Sequence, residues 1–183
     1  SPEAYWKKTR SLFRSGCASN KSPGGTGSYV VVLFYFILLI KMVSRVEKKK
    51  AEIRGHVEGL ANNTLEMSPE EFIAMRKASL GGRGRPSYAL THNFAGVYIL
   101  YNKTKNMYYV GQGKEVLNRV NAHFTGKGNG DVYADYKYGD AFTIKMIALS
   151  KSGFSSLNEL ERNTIMTYDS YATGYNKTRG NRS

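Results

Sequence analysis

Glu161 lies where a carboxylate is costly. Leu157, Leu160, Thr164, Ile165 and Tyr168 recur around it at helical spacing, and Glu161 falls four residues after Leu157 and four before Ile165. A carboxylate in the middle of an apolar helix face must be paired or bound to a cation, because burial strips its hydration. A second group lies upstream. Arg119 and His123 are four residues apart on a segment whose apolar stripe is Val116, Leu117, Val120 and Phe124, so they stack on one edge of a helix. Tyr98 and Tyr109 sit on two runs of β-branched and aromatic residues. Guanidinium, imidazole and phenol side by side form a grip for a phosphodiester, and a phenol can also exchange a proton. Each residue also has an ordinary structural reading: an ion-paired glutamate at the rim of its stripe, tyrosines packing a hairpin, a surface arginine, a histidine at a helix end.

The elements that must position these groups are legible in the patterning. Residues 96–101 and 107–111 read as strands, and the turn residues 102–106 between them make an antiparallel hairpin. A helix is expected over 115–124, a short helix over 131–137 and a third strand over 142–149. Ser156 and Glu159 form a capping box that opens a helix running to about Tyr171. The expected fold class is α+β: a small three-stranded antiparallel sheet flanked by helices, over residues 95–183, preceded by a helical and disordered N-terminal extension.

That extension divides into three parts. Residues 1–28 read as a disordered basic tail, rich in Ser, Gly, Asn and Lys. Residues 29–44 carry an apolar run, unbroken from Tyr29 to Ile40, that Lys41 interrupts and Met42-Val43 extend; it is short against the roughly 20 residues of a membrane span, but Lys41 can snorkel. A membrane anchor is the favoured reading, because a lone apolar run in a polar extension has nothing else to cover it. The cations at Arg45, Lys48, Lys49, Lys50 and Arg54 favour a cytoplasmic side for the C-terminal part of the chain, against Lys7, Lys8, Arg10, Arg14 and Lys21 at the other end of the run. The location is then membrane-anchored with a cytoplasmic domain, or else cytoplasmic. Residues 45–94 read as a charged helical linker and basic loop, with a helix start at Ser68-Pro69-Glu70-Glu71. The loop at Gly82-Arg83-Gly84-Arg85-Pro86 has the chemistry of a minor-groove clamp, with a plain basic linker as the favoured reading.

Composition narrows the partner. The chain has 183 residues, with 27 Lys and Arg against 14 Asp and Glu, a net charge of +13. Such an excess points to a polyanion, either nucleic acid or an anionic membrane. Cys17 is the single cysteine, which excludes an internal disulfide and a cysteine-based zinc site. His56, His92 and His123 are too scattered for a histidine metal cluster.

Gly96-Val97-Tyr98, ten residues, then Tyr109-Val110-Gly111 resembles the two-part signature of the GIY-YIG nucleases. Arg119, His123 with Phe124, Glu161 with Ile165, and Gly174-Tyr175-Asn176 follow in the family's order, so the resemblance covers residues 95–183. It implies a metal-dependent endonuclease acting on DNA, with Glu161 holding one Mg²⁺ or Mn²⁺ ion. It further implies that Arg119 steadies the scissile phosphate, that Tyr98 or Tyr109 takes the proton of the attacking water, and that His123 relays it or binds phosphate. Asn176 would orient a phosphate or a catalytic side chain; with Lys114, and with Arg83 and Arg85 of the basic loop, it is a candidate substrate contact. Gln112 stands where some members carry lysine, so Lys114 or His123 would have to supply the cation that eases tyrosine ionisation. The alternative is a catalytically weak DNA-binding module on the same fold. The oligomeric state is left open.

Overall fold

The computed structural model describes residues 26–78 and 87–180. Two units are distinguished, Ser1–Arg45 and Val46–Ser183. In the first, the described residues belong to helix α1, Thr26–Asn62, which continues into the second. The apolar run and the charged segment after it were expected as separate helices; they form one, since neither glycine nor proline occurs between residues 28 and 54 to break it. This is the one helix among the described residues long and apolar enough to cross a membrane; its most apolar stretch has a mean hydropathy of 2.1 and no protein cover.

The unit Val46–Ser183 is built on the three expected strands, β1 (Gly96–Asn102), β2 (Met107–Gly113) and β3 (Phe142–Ala148). The sheet is antiparallel, in the order β2-β1-β3. The hairpin turn closes through Asn106, which adopts a left-handed φ of 53°, a conformation asparagine tolerates. Helices α2 (Pro69–Lys77), α3 (Tyr88–Thr91), α4 (Val116–Phe124), α5 (Gly130–Lys137) and α6 (Leu157–Thr167) flank the sheet, with a short 3₁₀ turn at Leu149–Lys151.

Because strand side chains alternate, the sheet has two buried faces. Tyr98 and Leu100 pack with Val116, Leu117, Val120 and Phe124 of α4, Val132 of α5 and Phe72 of α2. Val97, Ile99, Val110 and Ile147 point the other way, onto Leu160 and Ile165 of α6 and Ala61 of α1. Residues 45–94, expected as a linker, therefore contribute to the core. Val57, Ala61 and Phe72 are each fully buried, and Met67 pairs through its backbone with Ile144 of β3. Arg54 reaches Asp169 and the carbonyl of Met166, both at 3.4 Å, and His56 Nε2 donates to the carbonyl of Ser152 at 2.8 Å. The helix start expected at Ser68-Pro69-Glu70-Glu71 is a full capping box: Ser68 Oγ accepts from Glu71 N, and Glu71 Oε2 accepts from Ser68 N.

The chain end closes the open edge of the sheet. Among the described residues β2 has no neighbouring strand on its outer side, so its outward peptide groups need partners. Tyr175 N donates to the carbonyl of Tyr108 at 2.9 Å, and the Asn176 amide spans Val110, accepting from its N–H at 2.8 Å and donating to its carbonyl at 2.7 Å. Gly174 makes this approach possible, because a Cβ there would overlap the carbonyls of Tyr108 and Ser170. Tyr175 Oη then donates to Asp135 at 2.6 Å and accepts from the buried Asn102 amide at 2.7 Å. Asn102 also donates to Asp140 at 2.7 Å and accepts from Lys105 N at 3.0 Å. One buried asparagine thus joins the hairpin turn, the α5–β3 connection and the C-terminal segment.

Phe72→Ala should lower unfolding stability by about 3–5 kcal/mol, the usual cost of removing a buried phenyl group. Denaturant titration measures this; a residue in a linker outside the core would cost less than about 0.5 kcal/mol.

Candidate active site

Tyr98 and Tyr109 lie diagonally on one face of the hairpin, since the register pairs Leu100 with Tyr109 and Tyr98 with Gly111. Gly111 has a steric reason: a Cβ at that position would fall inside the phenol ring of Tyr98. The missing side chain opens a slot across β2, and Tyr98 lies in it at 1% exposure. The slot delivers its hydroxyl to within 2.9 Å of His123 Nε2 on α4. The ring of His123 stands 4.8 Å from that of Tyr109 and 5.4 Å from that of Tyr98.

The proton on His123 can be placed. Its Nδ1 lies 2.9 Å from the backbone N–H of Asn129, a group that only donates. Nδ1 must accept, so in the neutral ring the proton is on Nε2 and points at Tyr98 Oη. Burial, helped by the charge of Arg119, holds the imidazole pKa down at about 4, so the ring is neutral at physiological pH. Asn129 is itself fixed, because its side chain caps α5 by accepting from Asp131 N and Val132 N.

The two phenols differ. Burial pushes the ionisation of Tyr98 far above its ordinary range and the neighbouring Tyr109 adds to the rise, more than the charge and hydrogen bond of Arg119 take back. Burial raises Tyr109 as well, but the charge of Arg119 and a hydrogen bond from Tyr98 oppose that rise. Tyr109 is also the more accessible of the two. The phenol that gives up its proton more readily is therefore the one that solvent can reach.

Arg119 and His123 share an edge of α4, one turn apart. Arg119 is exposed and lines a shallow depression of about 490 Å³ with Gly113, Lys114, Glu115, Asn118 and Ala122. Lys114 is exposed as well, and it also borders the adjoining depression at Gln112 and Asn158. Two residues that sequence patterning does not single out hold α4 in place. Asn93 caps it from before β1, its Oδ1 accepting from Leu117 N at 2.9 Å. Arg76 of α2 donates to Asn118 at 2.9 Å.

Glu161 is buried on α6 at 8% exposure, in the stripe formed by Leu160, Thr164 and Ile165. Gln112 of β2 donates through Nε2 to Glu161 Oε2 at 3.0 Å and to Asn158 Oδ1 at 2.7 Å. The residue that departs from lysine in the resemblance is thus a neutral donor steering the carboxylate. A carboxylate oxygen is a ligand that suits a hard divalent ion. Among the described residues no three His, Cys, Asp or Glu side chains gather, so a cation here would rest on one carboxylate and keep most of its water. Ser156 caps α6 as expected, accepting from Glu159 N, but Glu159 turns its carboxylate to Ser155 N and Oγ.

Five of the candidate residues, Tyr98, Tyr109, Arg119, His123 and Glu161, come from β1, β2, α4 and α6. The first four form one contiguous group, and the charge of Glu161 is felt at Tyr109. Asn176 is placed differently from the expected substrate contact: both its amide atoms are engaged by the Val110 backbone, next to Tyr109. Arg83 and Arg85 lie outside the described residues.

Residues 94–176 match the family model described as the GIY-YIG catalytic domain. The match begins just before β1 and ends at Asn176, so it takes in all of these elements. No curated protein and no solved structure matches the chain.

The neutral imidazole makes stability depend on pH. The folded pKa of about 4 lies below the ordinary 6.5, so the unfolded chain binds the extra proton in that window. The contribution of His123 is complete above pH 6.5 and is lost as pH falls toward 4. Thermal melting from pH 7 to 4 should therefore fall more steeply for the native chain than for His123→Gln.

Proposed function

We propose, from the premise that residues 94–176 are a GIY-YIG catalytic domain and hence a nuclease fold, that this protein is a metal-dependent endonuclease cutting DNA. The observation that carries the reading is the polar chain from Asn129 N–H through His123 and Tyr98 to Tyr109, with Arg119 beside it and Glu161 at its margin. Tyr109 in its phenolate form, which burial and the Glu161 charge oppose and the Arg119 charge and the Tyr98 hydroxyl favour, accepts a proton from the attacking water, whose oxygen bonds to phosphorus as the bond from phosphorus to the leaving oxygen breaks. Tyr98 receives the Nε2 proton of His123 as a hydrogen bond, which frees its own hydroxyl to donate toward Tyr109. Arg119 faces the scissile phosphate and stabilises its added negative charge. Lys114, on the rim of the same depression, supplies a further phosphate contact. Glu161 would hold a single Mg²⁺ or Mn²⁺ ion, oriented by Gln112, and the ion when bound neutralises charge on the leaving oxygen. Asn176 works through Val110: it fixes the strand that bears Tyr109.

The apolar helix supports a second part of the proposal, a membrane tether through residues 29–44 with the nuclease on the cytoplasmic side. Basic residues follow the apolar run at Arg45, Lys48, Lys49, Lys50 and Arg54.

Supercoiled plasmid should be nicked in Mg²⁺ or Mn²⁺ and left intact in EDTA. Tyr109→Phe and Arg119→Ala should each lower the rate by roughly 10²–10³-fold, and Glu161→Gln by at least as much. Salt-sensitive DNA binding without cleavage in any metal would make the domain a binding module instead. Membrane fractionation checks the tether: the full chain should stay in the pellet after alkaline carbonate, and deletion of residues 29–44 should release it to the supernatant.

A further inference from the structure

A groove of about 660 Å³ opens on the unit Val46–Ser183, away from the tyrosine cluster. Its apolar floor includes Ile53, Ile165 and Met166, and its rim carries Lys49, Lys50, Arg162 and Arg179. All four cations are exposed. The rim also has two acids: Glu159 accepts from Ser155 N and Oγ and lies near enough to Arg162 to feel its charge, and Asp169 meets Arg54 at 3.4 Å in an exposed pair. Lys50 contacts Glu47 at 2.8 Å, an exposed pair of little energetic weight. Tyr171 stands in the wall at 44% exposure, with the guanidinium of Arg179 5.3 Å from its ring centre.

Position tells what this groove serves. Arg162 follows Glu161 on α6, and a Cβ at Gly180 would stand 2.8 Å from Arg162 Cγ and 3.4 Å from Glu161 Oε2. Gly180, the residue after Arg179, thus lies beside both Arg162 of the groove wall and the carboxylate of the candidate site. Arg162 shares the groove rim with Lys49, Lys50 and Arg179, so a strand held near Glu161 and passing Arg162 would enter the groove. Rim cations over an apolar floor, with an exposed aromatic ring, match a sugar-phosphate backbone whose bases turn inward to stack.

We propose that this groove is a DNA-strand track, holding the backbone next to the scissile phosphate through Lys49, Lys50, Arg162 and Arg179. The proposal rests on the nuclease reading of the neighbouring site. It makes α1 part of the substrate surface, because Lys49 and Lys50 project from that helix beyond its apolar run.

The test uses the full chain in detergent, in the Glu161→Gln background, with a fluorescent oligonucleotide in EDTA so that binding is read without cleavage. Adding Lys49→Gln and Arg162→Gln should weaken binding about tenfold or more near physiological salt. The slope of log affinity against log salt should become shallower by about 1–2, the share of two phosphate contacts. Melting temperature should not change, since both side chains are exposed. The same variant is assayed on vesicles containing phosphatidylserine. Unchanged oligonucleotide affinity overturns the track, and loss confined to vesicle binding assigns the groove to lipid instead. Plasmid cleavage by the otherwise native chain separates the two claims. Weakened oligonucleotide binding in a chain that never cleaves would sustain the track and remove the nuclease reading. Cleavage with oligonucleotide affinity unaffected by the substitutions would do the reverse.

Discussion

A single backbone N–H sets the chemistry of the candidate site. The amide of Asn129 can only donate, so His123 Nδ1 must accept, and the ring proton must be on Nε2, 2.9 Å from Tyr98 Oη. Once Tyr98 is an acceptor on that side, its own proton is free to turn toward Tyr109. The arrangement depends on Gly111, because no side chain at that position is compatible with the phenol of Tyr98 where it lies. The two glycine-and-tyrosine motifs of the hairpin are thus two halves of one fit: the tyrosine of the first fills the space left by the glycine of the second. Burial of this group removes water from around His123 and keeps it neutral, so the ring directs a proton rather than carrying a charge.

The sheet separates two tasks. Its first face carries the tyrosines and α4, and its second face carries α6 and the end of α1. Glu161 is brought to the first group only at the strand end, where Gln112 bridges from β2 to α6. The outer edge of β2 therefore needs cover, since one strand bears both Tyr109 and Gln112 and, among the described residues, has a strand on one side only. Tyr175 and Asn176 cover the edge with backbone-directed bonds. A residue far along the chain therefore shapes the site without facing it, and its short polar side chain serves as a substitute for a fourth strand.

Much of this was legible in the sequence, and the limits have physical causes. The three strands, α4, α5 and the start of α6 follow from alternation, helical period and capping residues, which are local signals. The cost of an apolar neighbourhood marked Glu161 before any partner was visible. Helix α6 stops at Thr167, short of the expected Tyr171, because Asp169 takes a left-handed φ of 48°; aspartate at such a turn carries weaker local signal than glycine would. The cap of α4 by Asn93 and the span of Val110 by Asn176 are contacts made across the fold, and no spacing rule reaches them. The segment 45–94 read as a linker because its burying residues, Val57, Ala61 and Phe72, are sparse among charges. They become core residues only once β1 and β3 offer them a surface. The substitution of Gln112 for lysine was visible as a departure, but its two hydrogen bonds required the position of α6.

The most direct test of the polar chain is nitrogen NMR of the His123 ring in the full protein, with His123→Gln to assign the signal. The account predicts a neutral ring protonated at Nε2 with an unprotonated, hydrogen-bonded Nδ1, unchanged until the pH approaches about 4. A ring protonated at Nδ1, or one that titrates near 6.5 like a solvent-exposed histidine, would contradict it, because Tyr98 would then have to donate to His123 and could no longer assist Tyr109.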